Sequence, residues 1–270
     1  MKKNILTACI LAILTAVSCS GNTQKDAFLP YNKLGDLPIR KVIGFGNQGM
    51  GIVLEDKIRF FFWFPNVFTN WRGRENWKED AGKTFTLPPN CKDIFGTGDS
   101  LGVVFDDKIL FYESLDSGWQ EKPDAMFILP KNCQGVFSFS VAIGVIVDNK
   151  VKFFSNDNAE NTWNEISDFE YTLPQNCQGV FEYGYSELCI IDDNKMRFIC
   201  REDGNWIEAT DAEFNLPDNF KGAFHIWVYW LGIVTDKKIM VYSYFENGWG
   251  DLTNVEFDFE YLNGANHVFD

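Results

Sequence analysis

Apolar and polar positions along the chain fall into a unit that repeats. In its third copy, residues 135–140 read as a strand and residues 142–147 as a second, almost wholly apolar one. Residues 151–155 make a third strand ending in Phe153-Phe154, and residues 168–173 a fourth. A run apolar on both sides of the pleat predicts a strand covered on both faces. Asp148-Asn149 separates the second and third runs, as a two-residue hairpin turn would. The same place holds Glu55-Asp56, Asp106-Asp107, Asp193-Asn194 and Asp236-Lys237, each pair followed by a Lys. After the third run comes a polar loop, then one Trp per unit: Trp77, Trp119, Trp163, Trp206 and Trp249.

The units are joined by a recurring phrase. Leu129-Pro130-Lys131-Asn132-Cys133 runs into Val136-Phe137, and copies begin at Leu87, Leu173 and Leu216. Degenerate copies run from Leu37-Pro38 to Phe45 and from Tyr261 to Phe269. The period is about 43 residues, in the range of propeller blades and solenoid repeats. Four-stranded units apolar on both faces cannot bury themselves singly; stacked radially they cover one another, and a closed ring leaves no bare end. The expectation is an all-β, five-bladed β-propeller over residues 36–270. Its repeats are 36–86, 87–128, 129–172, 173–215 and 216–260, with residues 261–270 as a closing strand. Residues 41–46 already form a first strand for unit one, so two segments compete for one slot.

The first residues change the picture of where the protein works. Lys2-Lys3 precede an apolar run from Ile5 to Val17, then Ala16-Val17-Ser18-Cys19. This resembles a bacterial lipoprotein signal, with Ala16 where such signals usually carry Leu. The resemblance implies removal of residues 1–18, acylation of Cys19, and a flexible tether over residues 19–35. The alternative is an ordinary signal peptide cut nearby. A lipoprotein of this type is expected in the bacterial cell envelope, on the outer membrane or cell surface, held by its acyl chains. Removing Lys2 and Lys3 takes the formal net charge from -14 to -16. Such an acidic body is repelled by nucleic acid, which is excluded as a partner. With His225 and His267 as the two histidines and no CxxC or HExxH spacing, no zinc site and no other cofactor is expected. Cys91, Cys133 and Cys177 occupy one repeat position and read as small hydrophobes. Cys189 and Cys200 lie in consecutive strands, diagonal to one another, where a bridge is conceivable.

The layout is similar to the tachylectin-type five-bladed lectins. The likeness rests on the period, the Lys-containing hairpin, the truncated last repeat, and Asn76-Trp77, Gly118-Trp119, Asn205-Trp206 and Gly248-Trp249. It implies the fold and the idea of glycan binding. Those lectins carry Gly-Gly-Trp between units where this chain carries Leu-Pro-x-Asn-Cys, so no binding residue is carried over. Hemopexin-type propellers share the aromatic hairpin but have four blades.

Several features are candidates for chemistry. The recurrent Trp could be sugar platforms or blade-to-blade packing, and fixed spacing favours packing. Glycoside hydrolases also occur on five-bladed propellers, and they need two suitably separated carboxylates. After the first-strand Phe the chain carries Gly46, Gly96, Ser138, Glu182, His225 and terminal Asp270, of which two are acidic. No catalytic residue is assigned and no enzyme is expected. Departures from the repeat are more telling. Unit one inserts a segment bearing Trp63, Phe68, Trp71, Arg72 and Arg74 before its Trp, and unit five carries Trp227, Tyr229 and Trp230 between strands one and two. Both connections leave a blade on the same side, and units one and five are neighbours if the ring closes. Two readings stand: a ligand site for glycan or protein, or extra burial where the ring closes. The expected function is a non-catalytic binding module of the cell envelope; the alternatives are a structural subunit of an envelope complex or a glycoside hydrolase.

Overall fold

The structure, a computed structural model, describes residues 39–46, 48–63, 77–157, 162–184, 186–227, 230–245, 248–252, 255–259 and Leu262, with Trp227 described by its backbone. The signal and tether segments 1–18 and 19–35 with Cys19, and the closing segment apart from Leu262, lie outside the described residues.

Each unit is an antiparallel meander. Blade one consists of β1 (Lys41–Phe45), β2 (Gly49–Val53), β3 (Lys57–Trp63) and β4 (Trp77–Glu79), with the short β5 (Phe85–Thr86) also paired to β3. Blade two holds β6 (Asp93–Thr97), β7 (Ser100–Val104), β8 (Lys108–Leu115) and β9 (Gly118–Ile128). Blade three holds β10 (Cys133–Phe139), β11 (Ala142–Val147), β12 (Lys150–Asp157), β13 (Thr162–Glu165) and β14 (Tyr171–Thr172). Blade four has β15 (Cys177–Tyr183), β16 (Glu187–Asp192), β17 (Lys195–Glu202), β18 (Asn205–Glu208) and β19 (Phe214–Asn215). Blade five has β20 (Gly222–Trp227), β21 (Trp230–Val234), β22 (Lys238–Phe245), β23 (Gly248–Asp251) and β24 (Phe257–Asp258). Five such sheets in a ring are the all-β, five-bladed propeller that the period predicts. The second strand of every blade is almost entirely buried, as a strand sandwiched on both faces must be.

Two local expectations are corrected. The fourth strand does not start at residue 168. In blade three it is β13, which carries Trp163 and pairs with the upper half of β12. The chain then steps out through a 3-10 turn, Ser167–Phe169, and returns as β14 on the lower half. Blade two makes the same step as one long strand whose register slips between Ile109 and Phe111. Pro123 sits in that slip, at an outer edge where its missing N–H costs no ladder bond. The second correction concerns blade one. Backbone pairing sets Ile43 opposite Gly51, as Phe95 stands opposite Gly102. The equivalent of Gly96 is therefore Gly44 rather than Gly46, because the link after Leu37-Pro38 is two residues shorter. β1 fills the innermost position of blade one.

The step in each outer edge presents a carbonyl to the next blade. Trp119 donates its indole N–H to the Lys83 carbonyl at 2.7 Å, Trp163 to Ala125 at 3.1 Å and Trp206 to Phe169 at 3.1 Å. Trp249 donates to Ala212 at 2.7 Å. Trp77 of blade one completes the circle on Val255 of blade five, also at 2.7 Å. The recurrent Trp are inter-blade anchors.

The Leu-Pro phrase is turn chemistry. The amides of Cys91, Cys133, Cys177 and Phe220 donate to the carbonyls of Pro88, Pro130, Pro174 and Pro217. Asn90 and Asn132 take φ of 66° and 68°, a left-handed conformation that Asn tolerates. The amide just after each outer strand, on Leu87, Leu129, Leu173, Leu216 and Phe259, donates to the turn joining strands two and three. Of those turns, Asp148-Asn149 has both residues at positive φ and Asp193 is positive in its own. The Lys that follows joins the outer strand in blades three to five: Lys150–Glu170, Lys195–Glu213 and Lys238–Glu256, each at 2.6 Å. Exposed pairs of this kind add a few tenths to about 1 kcal/mol each.

Replacing Trp206 by Phe keeps an aromatic ring but deletes the N–H and half of the indole; the expected loss is about 2 kcal/mol or more in denaturant unfolding. Trp77→Phe is expected to lose a similar amount, because the closing anchor has the same geometry. Gly44→Ala is expected to cost more than about 2 kcal/mol, because a Cβ there would lie 1.9 Å from the His225 carbonyl oxygen of blade five.

Candidate functional site at the seam of blades one and five

At four of the five interfaces the anchoring Trp lies against a Phe on the third strand of the preceding blade. Trp119 meets Phe60 at 5.3 Å, Trp163 meets Phe111 at 5.4 Å, Trp206 meets Phe153 at 5.7 Å and Trp249 meets Phe198 at 5.1 Å. At the closing seam the equivalent residue is Val241, three places after the turn Lys238. Trp77 there contacts Phe257 at 6.2 Å and Phe61 meets Phe257 at 4.9 Å, as Trp119 and Tyr112 meet Phe85 at the next interface.

Above that thinner contact lie the two aromatic departures that the repeat pattern singles out. Trp63 ends β3 and Trp230 begins β21, and their rings meet edge to face at 5.0 Å. They are 5% and 9% exposed and share one buried cluster with Val241, Phe224, Ile226 and Phe257. Equivalent positions of β21 elsewhere hold Gly49, Ser100, Ala142 and Glu187, so a Trp here adds bulk to this interface alone. Trp227 pairs with Trp230 across the β20–β21 hairpin through a register slip after His225. Phe68, Trp71, Arg72, Arg74 and Tyr229, with the Trp227 side chain, lie outside the described residues. The seam has a second tie lower down, where Arg59 is held by Glu79 and donates to the Leu262 carbonyl at 3.4 Å.

A second place of interest lies near the ring axis. One position of the inner strands reads Gly44, Gly96, Ser138, Glu182 and His225 around the circle. A Cβ on Gly96 would lie 1.9 Å from the Gly44 carbonyl, so blades five, one and two meet backbone to backbone at this level. Glu182 and His225 reach toward neighbouring blades. Glu182 reaches blade three and accepts the Ser140 N–H; the His225 ring lies 5.7 Å from Tyr183 of blade four. Burial pushes the Glu182 carboxyl up to about 7, and the Ser140 N–H pulls it partly back. Nothing in the repeat pattern pointed to Ser140, whose partner lies in another blade.

Glu182 is the one carboxylate at this level among the described residues, and Asp270 lies outside them. Among the described residues no disulfide joins any of Cys91, Cys133, Cys177, Cys189 and Cys200. Cys189 stands across from Phe198, which leaves Cys200 diagonal to it. Burial raises the Cys91 thiol to about 11 and Cys189 well above the usual range, which keeps both protonated. Among the described residues no group of three or more His, Cys, Asp or Glu is placed to hold a metal ion.

No protein-family model matches the chain, and no curated protein is similar to it in sequence. Solved structures with related folds were found. The assembly of Saccharomyces cerevisiae Dbp5 with Nup159, Gle1, IP6 and ADP contains a chain 9% identical to this one, with a TM-score of 0.34. The match covers 86% of this chain and 64% of that one, so this chain spans under two thirds of that chain's length. Kluyveromyces marxianus Hsv2 is 8% identical with a TM-score of 0.44, over 80% of this chain and 97% of that one. A protein of unknown function from Desulfotomaculum acetoxidans is 9% identical, TM-score 0.42, over 78% and 67%. Likenesses this remote say nothing of what the chain binds.

A carboxyl whose proton affinity is higher folded than unfolded weakens the fold when it ionises. For Glu182 that loss develops as pH climbs from about 4.5 toward about 7 and persists above. Glu182→Gln is expected to raise unfolding stability by roughly 1–3 kcal/mol at pH 8 and to leave it unchanged at pH 4, as measured by denaturant titration at both pH values.

Proposed function

We propose that the chain is a cell-envelope lipoprotein, attached through Cys19, whose propeller is a non-catalytic binding module for a glycan or a protein at the seam of blades one and five. The observation that carries the reading is the buried edge-to-face pair of Trp63 and Trp230. It gives the seam a rigid aromatic floor. The segments that leave this floor bear Phe68, Trp71, Arg72 and Arg74 on one side and Trp227 and Tyr229 on the other. Aromatic faces with a few convergent polar groups suit sugar rings and peptide side chains alike. Two arginines in a chain of net charge -14 favour an anionic or hydroxyl-rich ligand.

A specific observation favours the structural alternative for part of this set. Val241 leaves the closing interface thinner than the other four, and Trp63 and Trp230 are buried beside it. Their bulk then serves ring closure, and any ligand must be met by the residues of the two connecting segments.

Soluble polysaccharides titrated against the lipid-free chain from residue 23 onward are expected to give a saturable change in Trp emission. Trp71→Ala combined with Arg72→Ala and Arg74→Ala is expected to weaken it by about tenfold or more. No response across the panel, with the triple variant as stable as the parent, would sink the glycan reading. Incorporation of labelled palmitate that survives Cys19→Ala would sink the anchor.

A further inference from the structure

The chain enters the propeller on one defined face. Ile39 is the first described residue, and the Arg40 N–H donates to the Val53 carbonyl just before the Glu55-Asp56 turn. Entry is therefore on the face of the turns joining strands two and three, beside β1, the innermost strand of blade one. The connections joining strands one to two and three to four, the seam segments among them, leave from the other face.

The two faces differ in charge. On the entry face each acidic turn is followed by a Lys, and Arg40, Lys92, Lys131 and Lys221 stand in or beside the links between blades. Lys92 and Lys221 pair with Asp106 and Asp236 at 3.1 and 3.2 Å, so cations offset carboxylates there. On the far face Asp99, Asp116 and Asp203 occupy turns, with Asp157, Glu187 and Glu202 beside them. No Lys or Arg stands in the described turns of that face, and Arg201 next to Glu202 is engaged by Asp168.

We propose that the entry face is a membrane-facing surface: the propeller lies with its strand two–three turns toward the lipid headgroups and presents the acidic face and the seam connections outward. The inference depends on the anchor at Cys19 proposed above.

Tether length and charge favour the same orientation independently. Cys19 lies twenty residues before Ile39. A flexible chain of that length has a root-mean-square reach of about 25 Å. With the entry face down, that reach has only the gap to the headgroups to span. With the body inverted, the tether must run from the axis to the rim and then down a blade. For four strands and a third strand of eight residues that path is about 45 Å. It is nearly twice the reach of the coil before any headgroup is met, and stretching a coil so far costs entropy. An anionic lipid surface adds repulsion, felt by carboxylates without cations within about 8 Å at physiological salt.

The test uses the acylated chain in vesicles of phosphatidylethanolamine and phosphatidylglycerol bearing a headgroup energy acceptor. A donor fluorophore is attached through p-azidophenylalanine in place of Lys131 on the entry face or of Asp116 on the far face, both exposed. Transfer from position 131 is expected to be about twofold or more the stronger, since a blade's height separates the two. Equal transfer, or stronger transfer from position 116, overturns the inference. Should a labelled variant fail to fold, an impermeant amine reagent on the unlabelled chain decides, read by mass spectrometry. Vesicles that shield Lys131 and Lys237 more than Lys122 support the orientation, and equal shielding overturns it. A chain that stays in solution instead removes the anchor, and this inference with it.

Discussion

The propeller depends on one repeated contact, an indole N–H given by each blade to a carbonyl of its neighbour. Trp77, Trp119, Trp163, Trp206 and Trp249 each make it, and each lies among apolar side chains where an unpaired N–H is costly. The contact explains three features of the unit together. The outer strand must break so that a carbonyl turns outward, hence the 3-10 turn or the register slip. Phe60, Phe111, Phe153 and Phe198 on third strands supply the face on which the indole rests. The strand between must be slim, and Gly51, Gly102, Gly144 and Cys189 stand opposite those rings.

A ring of equal units still has one interface made by the chain's two ends, and here it differs from the rest. The Phe becomes Val241, and Trp63 and Trp230 add bulk above. At the inner level Gly44 lets the backbones of β1 and β20 touch. The seam is thus closed by backbone contact near the axis, by paired Trp rings above, and by the Trp77 and Arg59 bonds to Val255 and Leu262. Any recognition at this place is built on residues that already serve closure. Ligand affinity and ring stability therefore have to be measured side by side.

The opposite side of the axis is more polar. Ser138, Glu182 and His225 occupy the level that glycines occupy in blades one and two. The half-buried Glu182 carboxyl accepts the Ser140 N–H and so ties blade four to blade three.

The blade count, the almost wholly buried second strands and the inter-blade turns are legible in the chain, because each is set by local patterning repeated along it. Leu-Pro-x-Asn-Cys spells its own turn through Pro and Asn, and Gly102 or Gly144 in an apolar run marks a crowded strand. The recurrent Trp could be read as packing, since fixed spacing is equally what blade-to-blade contacts produce. What the sequence left open concerns partners far apart in the chain. The carbonyl each Trp binds, the slip that makes Gly44 rather than Gly46 the inner-level residue, the 5.0 Å meeting of Trp63 with Trp230, and the Ser140–Glu182 bond all join residues of different strands or blades. Such distances are decided by how blades settle against one another. That depends on summed side-chain volumes across an interface, which no single stretch of sequence contains.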